Sequence, residues 1–193
     1  GSGEMGDMLS HRIDYAHTLV GPMTRIVANT QRIHNVRDGQ PNDLEDWVVI
    51  VADFTNGAVG VLESSKMATG RGEGSKSQDY VELNGSDGSI VFQLEHPLQL
   101  QIANKGESHL TTVAVPPEFL KVKGSPRDPN EGDPVITFRY DQNFEFIDAI
   151  RSDRQCSPSF YDGALVQGVI DAALTSAKER RWMDVTNIQK QLA

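Results

Sequence analysis

Residues 47–63 read Trp47-Val48-Val49-Ile50-Val51-Ala52-Asp53-Phe54-Thr55-Asn56-Gly57-Ala58-Val59-Gly60-Val61-Leu62-Glu63. Apolar side chains occupy both faces of the first half, which is typical of a β-strand. Asn56-Gly57 then has the turn chemistry of a β-hairpin, because both residue types tolerate a positive φ. The segment therefore predicts two antiparallel strands joined by a tight turn.

Strand patterns of the same kind flank this hairpin. A second hairpin is predicted from residues 80–84 and 89–94, which Gly85-Ser86-Asp87-Gly88 connects. β-branched residues or alternation with period two mark the remaining strands. These remaining strands are predicted at residues 24–36, 98–102 and 110–115. Together the segments predict an antiparallel sheet of six strands or more.

The first helix is predicted at residues 7–19, with polar groups on one side and an apolar stripe on the other. The stripe consists of Leu9, Ile13, Ala16 and Val20. Gly21 and Pro22 end the helix, because glycine accepts the left-handed cap and proline cannot continue a helix.

Two further helices are predicted near the end of the chain. The second covers residues 141–151, capped by Asp141, and the third covers residues 161–180 after Ser157-Pro158-Ser159. Side chains predicted to face inward from the second helix are Phe144, Ile147 and Ile150. Gly163 and Gly168 each cost the third helix about 1 kcal/mol relative to alanine, which predicts close packing on a neighbour.

The predicted fold class is α+β, with a large, mostly antiparallel open sheet and helices packed on one face. Residues 6–193 are expected to form a single domain, and residues 1–5 are interpreted as an expression scar or a cut point. Residues 64–77 and 116–134 are predicted to be exposed loops, because glycine, serine and proline dominate them. The uncovered apolar face of the sheet predicts a homo-oligomer.

The composition narrows the range of partners. A formal net charge of −9 disfavours nucleic acid and anionic membrane surfaces, which the chain would repel. No apolar run approaches the roughly 20 residues that span a bilayer. One cysteine, Cys156, excludes an intrachain disulfide framework and fits a cytoplasmic protein. A small, uncharged substrate is the expectation.

Three ionisable side chains share the polar side of the first helix. Asp7, His11 and Asp14 fall at i, i+4 and i+7. A carboxylate one turn from a histidine orients the ring and stabilises its charged form, which suits proton transfer near neutral pH. Alternatively, Asp7 only interacts favourably with the positive end of the helix dipole, and His11 has no catalytic role. No metal is expected, because these residues and His17 lack a complete recognised ligand set.

The motifs together resemble the C-terminal half of the Gfo/Idh/MocA oxidoreductase family. The family pattern Asp-x-Gly-x-His-x-x-Asp is matched by Asp7, His11 and Asp14, and Leu9 stands where the family usually has glycine. The likeness extends to Val185. Its other motifs are Glu45-Asp46-Trp47, Phe54-Thr55-Asn56-Gly57-Ala58-Val59-Gly60, Asn84-Gly85-Ser86-Asp87-Gly88-Ser89-Ile90 and Ser157-Pro158-Ser159-Phe160-Tyr161-Asp162-Gly163.

This resemblance implies a substrate-binding and oligomerisation domain. The parent enzyme would move a hydride between NAD or NADP and a hydroxyl-bearing carbon of a sugar or polyol. His11 would be the catalytic acid and base, Asp7 would orient it and the substrate, and Asp14 would support substrate binding. The family's Rossmann domain and Glu-Lys-Pro lysine have no counterpart here, so cofactor-binding residues stay unknown and the chain alone is expected to be inactive.

Two alternatives stay open beside the dehydrogenase. The same domain serves in an NAD-dependent glycosidase, where transient oxidation ends in hydrolysis and net cofactor consumption is absent. A non-catalytic binding or dimerisation module, in which Asp7 and His11 are vestigial, is the other alternative, and Leu9 at the family's glycine position keeps it open.

Overall fold

The computed structural model describes residues 3–71 and 78–185. The chain divides into two compact units. Unit 1 comprises Gly1–Ala68 and Pro158–Ala193, and unit 2 comprises Thr69–Ser157. Residues 72–77, which fall in the predicted loop 64–77, lie outside the described residues.

Three α-helices, a short 3-10 helix at Pro117–Phe119 and ten strands occur in the described part of the chain. In chain order the α-helices and strands are α1 (Met8–Leu19), β1 (Met23–Gln31), β2 (Val36–Arg37), β3 (Gln40–Pro41), β4 (Trp47–Phe54), β5 (Val59–Ser65), β6 (Tyr80–Asn84), β7 (Gly88–Gln93), β8 (Gln99–Asn104), β9 (Thr111–Ala114), α2 (Pro134–Arg151), α3 (Phe160–Glu179) and β10 (Met183–Asp184). In residues 3–71 and 78–185, no helix is long and apolar enough to cross a membrane.

Unit 1 contains a four-stranded antiparallel sheet in the order β10-β1-β4-β5. The predicted hairpin of β4 and β5 is confirmed, and Val51 lies opposite Val61 in its register. At its turn, the backbone N–H of Phe54 donates to Ala58 O at 3.0 Å, and Gly57 has a φ of 84°. Glycine adopts this left-handed conformation without strain, which explains the turn position.

One face of this sheet is covered by α1 and α3. Leu9 and Ile13 of α1, Ile50 of β4 and Val169 of α3 are completely buried in one hydrophobic cluster. Burying each such side chain contributes about 1.5–3 kcal/mol, so this layer fixes the position of α1 on the sheet. The predicted apolar stripe of α1 is confirmed.

The opposite face of the unit 1 sheet carries exposed valines. Val59 is 76% exposed, Val61 is 70% exposed and Val51 is 38% exposed. All three lie on one side of the β4–β5 ladder, because Val51 pairs with Val61 and Val59 is two residues away. Helices on one face and exposed apolar residues on the other agree with the predicted layering.

Helix α3 begins with a capping box. Ser159 Oγ accepts from the backbone N–H of Tyr161 at 3.2 Å, and Asp162 accepts from the backbone N–H of Ser159 at 2.6 Å. A Cβ added at Gly163 meets nothing within 4 Å. The prediction of close packing at Gly163 is therefore wrong, and its position is open space.

The predicted strand 24–36 ends earlier than its composition indicates, at Gln31. The backbone N–H groups of Ile33 and His34 both donate to Asp46 Oδ2 at 2.8 Å, which draws them away from the β1–β4 ladder. The chain then forms the two-stranded ribbon of β2 and β3. A buried carboxylate thus ends the strand that β-branched residues would continue.

Unit 2 contains a second four-stranded antiparallel sheet, in the order β6-β7-β8-β9. Its first hairpin, β6 and β7, is confirmed as predicted. A Cβ added at Gly88 would lie 2.3 Å from Ala103 O, so β8 can approach β7 closely only at a glycine. The α+β class is confirmed, whereas the prediction of one sheet with six or more strands is wrong, because the ladders form separate sheets.

Helix α2 begins seven residues before the prediction. Asp133 Oδ1 accepts from the backbone N–H of Val135 at 3.0 Å and Pro134 occupies the first turn, so this pair starts the helix in place of Asp141. Ile147 and Ile150 are 47% and 63% exposed, so the prediction that they face inward is wrong. The helix buries Asp141 and Ala149 instead.

The predicted exposed loop 116–134 is partly buried. Ser125 and Leu120 are buried, and Arg127 forms an ion pair with Asp141 of α2 at 2.5 Å. Ser125 Oγ also donates to Asp141 Oδ1 at 2.8 Å. Since one buried carboxylate holds the segment to α2, the prediction of a wholly exposed loop is wrong.

Candidate functional site

The site lies at the start of α1, and residues 3–5 precede this helix. A Cβ at Gly3 would lie 2.4 Å from Glu45 O, so only glycine fits there. The backbone N–H of Glu4 donates to Glu45 O at 3.1 Å, and that of Met5 donates to Glu45 Oε1 at 3.0 Å. Met5 is completely buried. These residues, set aside above as a scar or cut point, are packed parts of unit 1.

The three site residues predicted from the sequence lie along α1. Asp7 takes the N-cap position, but its side chain bonds to no backbone N–H of the helix. His11 is exposed and Asp14 is half-buried. No hydrogen bond joins Asp7 to His11, both of which the structure describes. The carboxylate of Asp7 is therefore not engaged with the ring one turn away.

Lys66 is the residue that binds the Asp7 carboxylate. Its Nζ donates to Asp7 Oδ2 at 2.5 Å and lies 3.3 Å from Glu4 Oε2. The hydrogen bond to Asp7 and the charge of Glu4 outweigh burial and raise the pKa of Lys66. Lys66 is consequently a cation throughout the physiological range.

Glu4 is the buried member of this cluster. Its side chain is 2% exposed, whereas that of Lys66 is 36% exposed and that of Asp7 is 58% exposed. Ser64 Oγ donates to Glu4 Oε1. The negative charge of Glu4 also acts on Arg12, whose pKa is lowered mainly by burial. Lys66 thus spans from the protein interior to an exposed carboxylate.

Leu9, which stands at the family's glycine position, points away from the polar groups. It is completely buried and belongs to the hydrophobic cluster under α1. Asp7 and His11 are exposed on the opposite side of the helix. The larger side chain therefore packs in the core and does not face the polar side of α1.

His17 lies where α1 meets α3. Burial lowers the pKa of His17, although the charges of Asp14 and Asp162 oppose the effect. Backbone and side-chain hydrogen bonds from Ser159 lower the pKa of Asp162. Within the described residues, His17 Nε2 and the hydroxyl of Tyr161 are buried without a hydrogen-bond partner. His17 is accordingly neutral at physiological pH.

Two contacts in and beside the predicted loop 64–77 join residues that are close in sequence. Tyr80 donates to Glu82, and Arg71 Nη1 donates to Gln78 Oε1 at 3.2 Å. In residues 3–71 and 78–185, no three histidine, cysteine, aspartate or glutamate side chains are grouped so that they could hold a metal ion. The charged residues at the start of α1, together with His11, are therefore the candidate for acid and base chemistry.

Glu4 and Lys66 were missed as partners in the sequence analysis. Counting the hairpin register from Asn56-Gly57 places Ser65 opposite Trp47, and the backbone N–H of Lys66 then donates to Asp46 O at 2.9 Å. This count would have brought Lys66 to the end of the sheet near Glu45. Nothing in the local pattern of residues 3–5 indicates that Glu4 packs there.

Comparison with known families gives one match over nearly the whole chain. Residues 1–185 match the model of the oxidoreductase family C-terminal alpha/beta domain, of Gfo/Idh/MocA type. The match includes the α1 motif, both hairpins and α3.

Several characterised proteins are similar to this chain. Levoglucosan dehydrogenase of Pseudarthrobacter phenanthrenivorans is 32% identical, over 97% of this chain and 53% of its own length. Inositol 2-dehydrogenase of Rhizobium meliloti is 25% identical, over 95% of this chain and 50% of its own length. A solved levoglucosan dehydrogenase, in complex with NADH and levoglucosan, superposes with a TM-score of 0.83 at 31% identity, covering 96% of this chain and 51% of that one. The chain thus spans about half the length of the relatives it matches.

Proposed function

This chain belongs to the Gfo/Idh/MocA oxidoreductase family as its C-terminal domain, and from that premise we propose that it forms the substrate-binding half of an NAD(P)-dependent dehydrogenase. Its substrate is a sugar or polyol that is oxidised at a hydroxyl-bearing carbon. The observation that carries the proposal is the 32% identity to levoglucosan dehydrogenase over 97% of the chain.

His11 takes the role of acid and base in this proposal. Oxidation of an alcohol removes a proton from oxygen and a hydride from carbon, so a base must lie within hydrogen-bond reach of the hydroxyl. His11 is exposed on the polar side of α1, one turn from Asp7. The imidazole accepts the hydroxyl proton, the Asp7 carboxylate orients the hydroxyl, and Asp14 supports substrate binding.

Residues 3–71 and 78–185 form no binding site for the dinucleotide of the kind that the family's other domain provides. Family enzymes hold its pyrophosphate at the turn of a parallel βαβ unit, whereas every strand pair in the described residues is antiparallel. The residues present do not fit the group on their own. We therefore assign dinucleotide binding to another segment of the parent protein and expect the chain alone to be inactive.

The test uses the parent protein that contains this chain. Reduction of NAD and NADP is followed at 340 nm with levoglucosan, inositol and aldoses as substrates. We expect turnover with one of these compounds, and a loss of about 10²- to 10⁴-fold in kcat for His11→Ala because a general base is removed. His109→Ala is the matched control, since His109 is exposed in unit 2 and its contact is with the neighbouring Ser108.

The remaining outcomes identify the alternatives. Hydrolysis of a glycoside without net reduced cofactor would make the parent a glycosidase of the same family. Turnover unchanged by His11→Ala would remove His11 from the mechanism. Sugar binding without turnover in the parent would favour a binding module.

We also propose that the exposed valine face, defined by Val51, Val59 and Val61, joins two copies of the chain. Exposed apolar patches of this kind are commonly covered by a partner. The side chains of Val59 and Val61 are the most exposed of the three. Sedimentation velocity should give an oligomer for the wild-type chain and a shift towards monomer for Val61→Lys.

A further inference from the structure

Lys66 is placed between two carboxylates of very different exposure. Asp7 Oδ2 is 2.5 Å from Lys66 Nζ and Glu4 Oε2 is 3.3 Å from it. Glu4 is almost fully buried, and the Asp7 side chain is 58% exposed. The single ammonium group therefore links the protein interior to the residue proposed to orient substrate.

The buried end of this link is well anchored. Glu4 Oε1 accepts from Ser64 Oγ, and the backbone on either side of the Glu4 side chain is tied to Glu45. Glu4 Oε2 has no hydrogen bond from the described residues, so its ion pair with Lys66 is the main interaction of that oxygen. A buried carboxylate in this setting strongly favours a fixed cation next to it.

The exposed end has no such anchor of its own. Asp7 makes no cap bond to α1 and no hydrogen bond to His11, both of which lie within the described residues. Within the described residues, Lys66 is therefore the side chain that holds the Asp7 carboxylate. The hydrogen bond to Asp7 also raises the pKa of Lys66, which favours its charged form.

From these contacts we infer that Lys66 is a positioning residue, which Glu4 anchors and which fixes the Asp7 carboxylate for substrate. The inference rests on the proposed dehydrogenase function. Lys66 acts through Asp7, because its side chain bonds to the carboxylates of Asp7 and Glu4. Misplacing an orienting group by about 1 Å costs up to about 100-fold in rate, which sets the expected effect.

A structural role for Lys66 must be separated from a positioning role. Lys66→Met alone leaves the buried Glu4 carboxylate without its partner, so loss of activity could follow from misfolding. Glu4→Gln combined with Lys66→Met removes both charges together and keeps the side-chain volumes close to native. Lys178→Met, at the exposed end of α3, is the control for removing a lysine.

The experiment measures kcat and KM of the parent enzyme for four variants with its best sugar substrate. Glu4→Gln/Lys66→Met should lower kcat/KM by about 10- to 100-fold with unfolding transitions close to wild type. Asp7→Asn should lower it similarly, and adding Lys66→Met and Glu4→Gln to Asp7→Asn should cause no further loss, since both changes act on one carboxylate. Lys178→Met should be unchanged.

The outcomes separate this inference from the function on which it rests. Wild-type kcat/KM in the Glu4→Gln/Lys66→Met enzyme would overturn the positioning role while leaving the dehydrogenase intact. Fully additive losses in the Asp7→Asn background would also overturn it, because Lys66 would then act elsewhere. A wild-type parent that oxidises no sugar or polyol would overturn the proposed function, and the inference with it.

Discussion

Two of the ion pairs that bury a carboxylate, one in each unit, differ in what the cation touches. In unit 2, the side chains of Arg127 and Asp141 are only 9% and 7% exposed, and Ser125 donates a further hydrogen bond to Asp141. In unit 1, Lys66 is 36% exposed and is shared between buried Glu4 and exposed Asp7. The first pair is closed, and the second has an open end.

Among buried ion pairs, the contacts of the cation indicate which carboxylates are available to a substrate. A closed pair holds a segment in place, because every charged group in it is satisfied internally. A shared cation leaves one carboxylate facing solvent, where it can meet a substrate. Burial alone does not distinguish Asp141 from Glu4, whereas the destination of the cation does.

The largest effect on stability is expected when the closed pair is broken. Arg127→Met leaves Asp141 buried without its charged partner, which should lower the free energy of unfolding by about 3–5 kcal/mol. Urea denaturation followed by circular dichroism measures the change. Arg181→Met is the control, because Arg181 pairs with Glu179 where both side chains are exposed, by 60% and 44%, and its removal should have little effect. Equal losses for both variants would contradict the distinction.

Acid titration sharpens the comparison by adding a third buried carboxylate. Hydrogen bonds from the backbone N–H of His34, and then of Ile33, outweigh burial and lower the pKa of Asp46, to which Arg37 also contributes. The unfolded state, with an aspartate pKa of about 3.9, therefore binds more protons in acid than the folded state. The stabilisation is present above about pH 4 and is lost as the pH falls through the folded pKa.

Asp46→Asn should remove this part of the pH dependence. At pH 7 the variant should lose about 1–3 kcal/mol of unfolding free energy, because two backbone N–H groups lose a charged acceptor. The difference from wild type should shrink in urea titrations carried out at successively lower pH, from 7 to 2. A constant difference across that range would show that Asp46 does not titrate as argued.

The parts of the fold that follow local rules were predictable from the sequence. The hairpin around Asn56-Gly57 and the helix after Ser159 depend on turn and capping chemistry, which neighbouring residues specify. The start of α2 was missed because Asp141 matches a cap locally, while its carboxylate is used by Arg127 from a distant segment. Long-range hydrogen bonds of this kind produce no repeating pattern in the sequence.

The candidate site was predictable only in its outline. The spacing of Asp7, His11 and Asp14 follows from helix geometry and was visible in the sequence. The contact from Lys66 to Asp7 spans 59 positions, so no local pattern encodes it. The division of the strands into separate sheets was also hidden, because strand patterns do not state which strands pair.

The smallest effect is expected for a substitution in α3 of unit 1, the unit that contains Lys66. Gly163→Ala should raise the unfolding free energy by about 0.5–1 kcal/mol, because alanine favours a helix and its Cβ meets nothing within 4 Å. Differential scanning calorimetry checks the sign. Destabilisation would mean that α3 packs against a neighbour at this position.

The most direct measurement compares both ion pairs in the parent enzyme, recording kcat/KM and unfolding free energy for Glu4→Gln/Lys66→Met and for Arg127→Met. We predict that the first variant loses about tenfold or more in kcat/KM with stability near wild type, and that the second loses stability with kcat/KM preserved at temperatures where it is folded. Losses of activity that simply follow stability in both variants would contradict it.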